Sequence, residues 1–254
     1  CWPGSVRLFD MRRGGNLPRR NVCATEMPTL PDRQVDQMSS FDAQRTTMVD
    51  SQIRPADVTK YPILDALLAV PRELYVPAAQ RDAAYAGNNL PLAGGRVVLE
   101  PRTFAKMLEA LNVQPNEMVL DVAAGLGYST AVLARLAEAV VAVEEDESLA
   151  EEAETTLSSE AVDNAAVVTG PLAEGAAKHS PYDAIILQGG VADLPQAIED
   201  QLKEGGRIAC LFMEGALGTV RIGYKIDGRI NWRFAFNAAA PVLPGFEASR
   251  SFVL

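Results

Sequence analysis

Apolar positions along this chain follow two rhythms, and their alternation predicts an architecture. Over residues 41–52 and 61–70 they fall at helical spacing, with Ser40 as an N-cap and Pro55 and Pro71 as stops. Pro101 suits a first helical turn, and Phe104, Met107, Leu108 and Leu111 give the helix it opens one apolar face. Ahead of it, residues 96–99 follow Gly94-Gly95 and read as a short hairpin edge. From Met118 onward, short apolar runs typical of buried strands occupy 118–122, 139–143, 165–169, 182–187 and 207–212, with helical stretches at 130–136, 148–157 and 195–202. This βαβ alternation predicts a parallel sheet with right-handed crossovers. Two further extended runs, 219–226 and 230–236, are joined by Asp227-Gly228, a strong hairpin signal. The fold expected is therefore α/β: a mostly parallel seven-stranded sheet closed by an antiparallel C-terminal hairpin, with a small N-terminal helical appendage.

The run Met118 to Val122 carries an acid, Asp121, and breaks into Ala123-Ala124-Gly125-Leu126-Gly127 before the next helix begins. Small residues there let the backbone turn sharply and approach a ligand. Two ligands compete for such a loop. A dinucleotide fingerprint wants G-x-G-x-x-G, and Thr130 stands where its third glycine would be; the alternative is the D-x-G-x-G type of loop that holds S-adenosylmethionine.

Composition narrows the partners. The net charge is −10 over 254 residues, which argues against nucleic acid, since a duplex binder needs a basic stripe. No apolar stretch approaches the roughly 20 residues of a membrane helix. Cys1, Cys23 and Cys210 have no metal-ligand spacing, so no metal site is expected and a cytoplasmic setting fits best. Residues 1–37 differ from the rest: six arginines against four acids and four prolines, with no hydrophobic period. They read as a disordered tail or upstream extension, with Met38 as the natural start. The division expected is 1–37 as tail, 38–100 as a helical and acceptor-side segment, and 101–254 as the cofactor-binding domain.

Ligands of parallel α/β sheets bind beyond the carboxyl ends of the strands. Glu144 ends the second strand, 17 residues past Gly127, where a carboxylate accepts both ribose hydroxyls of an adenosine; the alternative is that it merely begins the acidic run 144–147 before a helix. Gly170 and Leu172 are placed to flank the adenine, and Gln188-Gly189-Gly190 to open a space for a methionine moiety or acceptor, a plain turn being the alternative for both. His179 lies in a polar loop and reads as solvated, and Cys210 reads as a core residue. No residue stands out as a catalytic base.

These residues resemble the protein-L-isoaspartate O-methyltransferases, within the class I S-adenosylmethionine-dependent methyltransferases with their Rossmann-like sheet. The resemblance is carried by Val70-Pro71-Arg72-Glu73-Leu74-Tyr75-Val76-Pro77, by Leu90-Pro91-Leu92, by Val119-Leu120-Asp121 through Gly127-Tyr128-Ser129, by Tyr182-Asp183-Ala184-Ile185-Ile186, and by 201–207. It implies that Asp121 opens the cofactor loop, that Ala123, Gly125, Gly127 and Tyr128 line the methionine and ribose side, and that Glu144 takes the ribose. The family's G-x-G-Q-T-I-S-Q-P is here Gly94 to Pro101, so Leu99 replaces a serine associated with the isoaspartyl substrate, with Glu100 beside it; Pro171 and Leu172 replace the family's Asp-Gly after the third strand. These departures resemble those of a divergent bacterial branch that shares the E-P-R and G-P-L features.

The resemblance implies methyl transfer from S-adenosylmethionine to a carboxylate of a protein or peptide, isoaspartyl residues above all, or to a diverged small-molecule acceptor. A carboxylate is ionised at neutral pH and needs no general base. Leu99, Glu100 and Arg102 are the acceptor-side candidates, with Arg72 as a second cation. Two other readings stand beside this one: a non-catalytic cofactor-binding module acting through a partner, and a nicotinamide dehydrogenase.

Overall fold

The computed structural model describes residues 32–248. Of the tail expected over residues 1–37, residues 1–31 lie outside the described residues; 32–37 belong to α1 (Asp32–Met48), which begins ahead of Ser40, so that Ser40 lies within the helix rather than capping it. It runs directly into a π-helical turn, Val49–Ile53, and a short 3-10 turn, Arg54–Ala56, that carries Pro55. Then follow α2 (Tyr61–Ala69), a two-stranded ribbon of β1 (Leu90–Pro91) and β2 (Val97–Val98), and α3 (Pro101–Leu111). The hairpin edge expected ahead of α3 is this ribbon, with Leu90 opposite Val98.

The main sheet has seven strands: β3 (Met118–Val122), β4 (Ala139–Glu144), β5 (Ala165–Thr169), β6 (Tyr182–Val191), β7 (Leu202–Glu214), β8 (Leu217–Ile226) and β9 (Arg229–Asn237), in the order β5-β4-β3-β6-β7-β8-β9. The first five pair in parallel, and β8 runs antiparallel to both β7 and β9. α4 (Tyr128–Ala134), α5 (Glu147–Ser159) and α6 (Gln196–Asp200) supply three of the crossovers, and the β5-to-β6 connection carries two 3-10 turns, Leu172–Glu174 and Ala177–His179. Order reverses beside β3, where β4 lies on one side and β6 on the other, and that switch opens a crevice beyond the strand ends.

Strand alternation sends residues to two faces. Val119 faces the cluster built with α2, α3 and α4, while Leu120 and Val122 face the one that holds Leu172, Ile198, Leu243 and Phe246. The apolar face expected on α3 is buried as a unit: Phe104, Met107, Leu108 and Leu111 are each at most 1% exposed. At about 1.5–3 kcal/mol per large side chain, these four contribute on the order of 10 kcal/mol of gross burial, enough to fix α3 against the sheet.

β6 outruns its sequence signal by four residues. β6 continues to Val191 through a register shift after Ile186, and Gly190 bridges Val242 of the returning C-terminal segment. A Cβ on Gly189 would stand 2.5 Å from Leu243 Cδ2, and one on Gly190 would meet Ala240 O at 2.8 Å. These glycines admit the close approach of the chain's own C-terminal segment, which corrects the expectation that they open a ligand space.

Candidate functional site

Asp121 lies in the middle of the sheet and is fully buried, a costly position that its neighbours compensate. Ser129 Oγ and Thr130 Oγ1 donate to its Oδ2 at 2.6 and 2.8 Å, and Gln188 Nε2 donates to Oδ1 at 2.8 Å. Burial pushes its pKa up to about 6, against the pull of those three hydrogen bonds. Asp121 thus ties the end of β3 to the first turn of α4 and to β6, and fixes the loop between them.

The loop turns through left-handed backbone at Ala123 (φ 65), Gly125 (φ 59) and Gly127 (φ 89). Ala123 holds that conformation at a cost of about 1 kcal/mol, and its N–H donates to Val143 O at 2.9 Å. Glu144, fully buried at the end of β4, reaches back to it: Oε2 accepts from Gly125 N at 2.8 Å, and Oε1 from Asp146 N at 3.0 Å. Asp146 in turn caps α5, accepting from Ser148 N and Leu149 N. The acidic run is therefore divided as its positions suggest, with Glu144 turned to the loop and Asp146 to the helix.

The segment 92–99 lies across this loop like a strap. A Cβ added to Gly125 would come within 2.8 Å of Leu92 Cδ1. Arg96, 5% exposed, brings Nη2 to 2.7 Å from Glu144 Oε1. The pair is a close charge contact without hydrogen-bond alignment, and neither Nη1 nor Nη2 of Arg96 has an aligned acceptor among the described residues. Beneath the strap remains a cavity of about 20 Å³ lined by Leu92, Leu99, Ala124, Tyr128 and Gln188. Arg72 Nη1 and the hydroxyls of Tyr75 and Tyr128, all on residues that line it, are buried without an aligned hydrogen-bond partner among the described residues, although the Arg72 guanidinium and the Tyr128 hydroxyl interact with each other. The loop and the carboxylate beside it fit a cofactor with a ribose, and the Tyr75 hydroxyl is a further buried polar atom without an aligned partner among the described residues.

The acceptor-side candidates are scattered. Leu99 is buried at the cavity, and its carbonyl accepts from Arg72 Nη2 at 2.7 Å. Arg72 is fully buried, also donates through Nε to Ala84 O, and lies 4.5 Å over the Tyr128 ring. Burial lowers its pKa, and it serves as an internal clamp rather than the acceptor guide expected of it. Glu100 accepts from Thr103 Oγ1 at 2.6 Å on the first turn of α3. Arg102 is exposed and lines a separate groove with Gln52, Gly87 and Lys106. Gly170 donates its N–H to Glu144 O and has open space around its Cα, while Leu172 is 1% exposed within the core. Tyr128 begins α4 with its ring against Tyr75, Phe104 and Arg72, and it lines the cavity beside the loop. Cys210 is fully buried, its thiol pKa raised by that burial, and His179 is exposed. No group of metal-ligating side chains occurs among the described residues. Sequence reasoning passed over Arg96; its one local signal is a lone arginine after Gly94-Gly95, and its partner lies 48 positions away.

Known proteins with this organisation are numerous. The family model described as protein-L-isoaspartate(D-aspartate) O-methyltransferase matches residues 43–215. A protein-L-isoaspartate O-methyltransferase of Syntrophus aciditrophicus is 39% identical over 171 residues, 67% of this chain and 78% of that protein. One from Koribacter versatilis is 34% identical over 193 residues, 76% of this chain and 87% of its own. Among solved structures, a beta-aspartate methyltransferase (PCMT) from Plasmodium falciparum, in complex with S-adenosyl-L-homocysteine, superposes with a TM-score of 0.67 at 18% identity, covering 80% of this chain and 97% of that one. At that identity the likeness speaks for the fold.

Proposed function

Because this chain belongs to the protein-L-isoaspartate O-methyltransferase family, we propose that it methylates the free carboxylate of isoaspartyl residues in damaged proteins and that the ends of β3 and β4 form its donor site. S-adenosylmethionine is the methyl donor of this enzyme class, supplying a sulfonium-activated methyl group. The protein's task is then alignment and exclusion of water.

The observation that carries the reading is the reach of Glu144 to the loop: its carboxylate is fixed by Gly125 N and Asp146 N with lone pairs to spare. Two ribose hydroxyls would use them. Ala123, Gly125 and Gly127 keep the loop free of long side chains, and Asp121 holds that loop rigid through Ser129, Thr130 and Gln188. Gly170 and Tyr128 flank this space, and Leu172 supports it from the core. Leu92 and Leu99 on the strap supply an apolar roof. An isoaspartyl linkage leaves an ionised carboxylate, so no side chain has to remove a proton from the nucleophile. No helix of the described residues is long and apolar enough to cross a membrane, and a cytoplasmic site of action goes with repair of soluble proteins.

The test is transfer of labelled methyl to an isoaspartyl peptide, with the aspartyl isomer as control; the expected result is base-labile label on the first only. Leu99 in place of a hydroxyl donor and the narrow cavity favour a second reading, a cofactor-binding module without turnover. Cofactor binding with no transfer to the isoaspartyl peptide would establish it.

A further inference from the structure

The Arg96–Glu144 contact conflicts with the donor site just described, and the conflict has a direction. A carboxylate offers about four lone-pair positions. Gly125 N and Asp146 N already use two of those on Glu144, and two ribose hydroxyls would use the others. Arg96 would then have to leave. Displaced from Glu144, a guanidinium that is 5% exposed keeps in its field the exposed Glu145 and the half-buried Asp146, which is occupied in capping α5, and Nη1 already lacks an aligned partner among the described residues, so it can take a further anion.

The reaction brings such an anion. The other two arginines near the site are committed elsewhere: Arg72 is pinned by the carbonyls of Ala84 and Leu99 and by the Tyr128 ring, and Arg102 lines a different groove. Arg96, by contrast, sits on the strap itself, between two glycines of positive φ and the short β2, and its guanidinium has no aligned hydrogen bond among the described residues to hold it on Glu144. We propose that Arg96 is the receptor for the acceptor's carboxylate, stored on Glu144 until the ribose displaces it, so that donor binding creates the acceptor site. The proposal rests on the assignment of Glu144 to the ribose. It supplies the polar recognition that Leu99 cannot, since a planar guanidinium pairs with a carboxylate through two parallel N–H bonds.

The opposite effects expected at the two ligands separate this role from a structural one. Calorimetric titration of S-adenosylhomocysteine and steady-state kinetics on an isoaspartyl peptide are run on the wild type, Arg96→Gln and Arg96→Lys, each checked for a cooperative melt. Arg96→Gln is expected to bind S-adenosylhomocysteine about tenfold more tightly, because nothing competes for Glu144, and to raise the peptide KM by about tenfold or more. Arg96→Lys should recover part of the KM loss, and it carries the test alone should the glutamine variant fail to fold. Unchanged cofactor affinity, or tighter cofactor binding with an unchanged peptide KM, overturns the proposal while leaving the methyltransferase reading intact. Absence of cofactor binding in all three proteins overturns the Glu144 assignment, and this proposal with it.

Discussion

Gln188 Nε2 donates to Asp121 Oδ1 at 2.8 Å, closing the ends of the two central strands over a carboxylate whose pKa burial has pushed up to about 6. In the unfolded chain the same carboxylate titrates near its ordinary value of about 3.9. Between those values the folded protein binds the extra proton, so this group's contribution is fully present below the lower value and is lost as pH rises through the upper. Asn at this position can donate to the Ser129 and Thr130 hydroxyls, which rotate to accept, and accept from Gln188. Going from pH 4 to pH 7, wild type is expected to lose about 2–3 kcal/mol relative to Asp121→Asn in urea unfolding. A difference that stays flat with pH would show that Asp121 does not titrate in this window.

Gln188 itself answers for one acceptor of that buried carboxylate. Gln188→Leu leaves Oδ1 without its donor and is expected to cost about 1–3 kcal/mol at pH 7, and less at pH 5 where the carboxyl is increasingly protonated. Denaturant midpoints at the two pH values check both the size and the trend.

Removing the Glu144 charge tests the donor site. Glu144→Gln weakens the hydrogen bonds offered to ribose, and at about 1.5 kcal/mol or more for charge-assisted bonds, S-adenosylhomocysteine affinity should fall at least about tenfold. Calorimetry on the folded variant measures it, and an unaltered Kd would move the ribose elsewhere.

Gly127 has φ 89 and would place a Cβ 3.4 Å from Ala153 Cβ and Leu157 Cδ1. Gly127→Val sets a β-branched side chain in left-handed backbone, and it should cost about 2 kcal/mol or more and abolish cofactor binding. Thermal melting with and without S-adenosylhomocysteine reads both effects: a lowered midpoint, and loss of the shift that ligand produces.

Away from the site, Arg207 grips Glu117 with two bonds of 2.9 and 2.7 Å and also donates to the carbonyls of Leu111 and Asn112. It joins β7 to the end of α3 and the turn before β3. A lysine keeps the charge but not the fork, so Arg207→Lys is expected to lose about 2 kcal/mol of stability with methyl transfer by the folded enzyme retained. A loss below about 0.5 kcal/mol would mean that solvent replaces those bonds.

What the sequence made legible was whatever depends on neighbours in the chain. The βαβ alternation, the Asp-Gly hairpin, the apolar face of α3 and the loop from Asp121 to Gly127 all have local signatures, and Glu144 follows from its place at a strand end. The rest depends on segments meeting across long separations. Arg72 read as a free cation, because nothing nearby announces that two carbonyls and the Tyr128 ring enclose it. Gly189 and Gly190 read as an opening, because the returning residues 240–243 that fill the space lie far along the chain. Arg96 was invisible for the same reason: the strap and the end of β4 meet only in the folded protein.

The two halves of the sheet also differ in how they can form. β7, β8 and β9 are consecutive in sequence and pair through adjacent hairpins, whereas β3 must find β6 after β4, β5 and two helices have been laid on its other side. Hairpins close within microseconds, while distant pairings spend chain entropy before any contact returns it. On these grounds the meander without ligand residues is expected to form ahead of the cradle. A bound cofactor would act as a clasp on the late-forming half and slow its opening more than that of the hairpins.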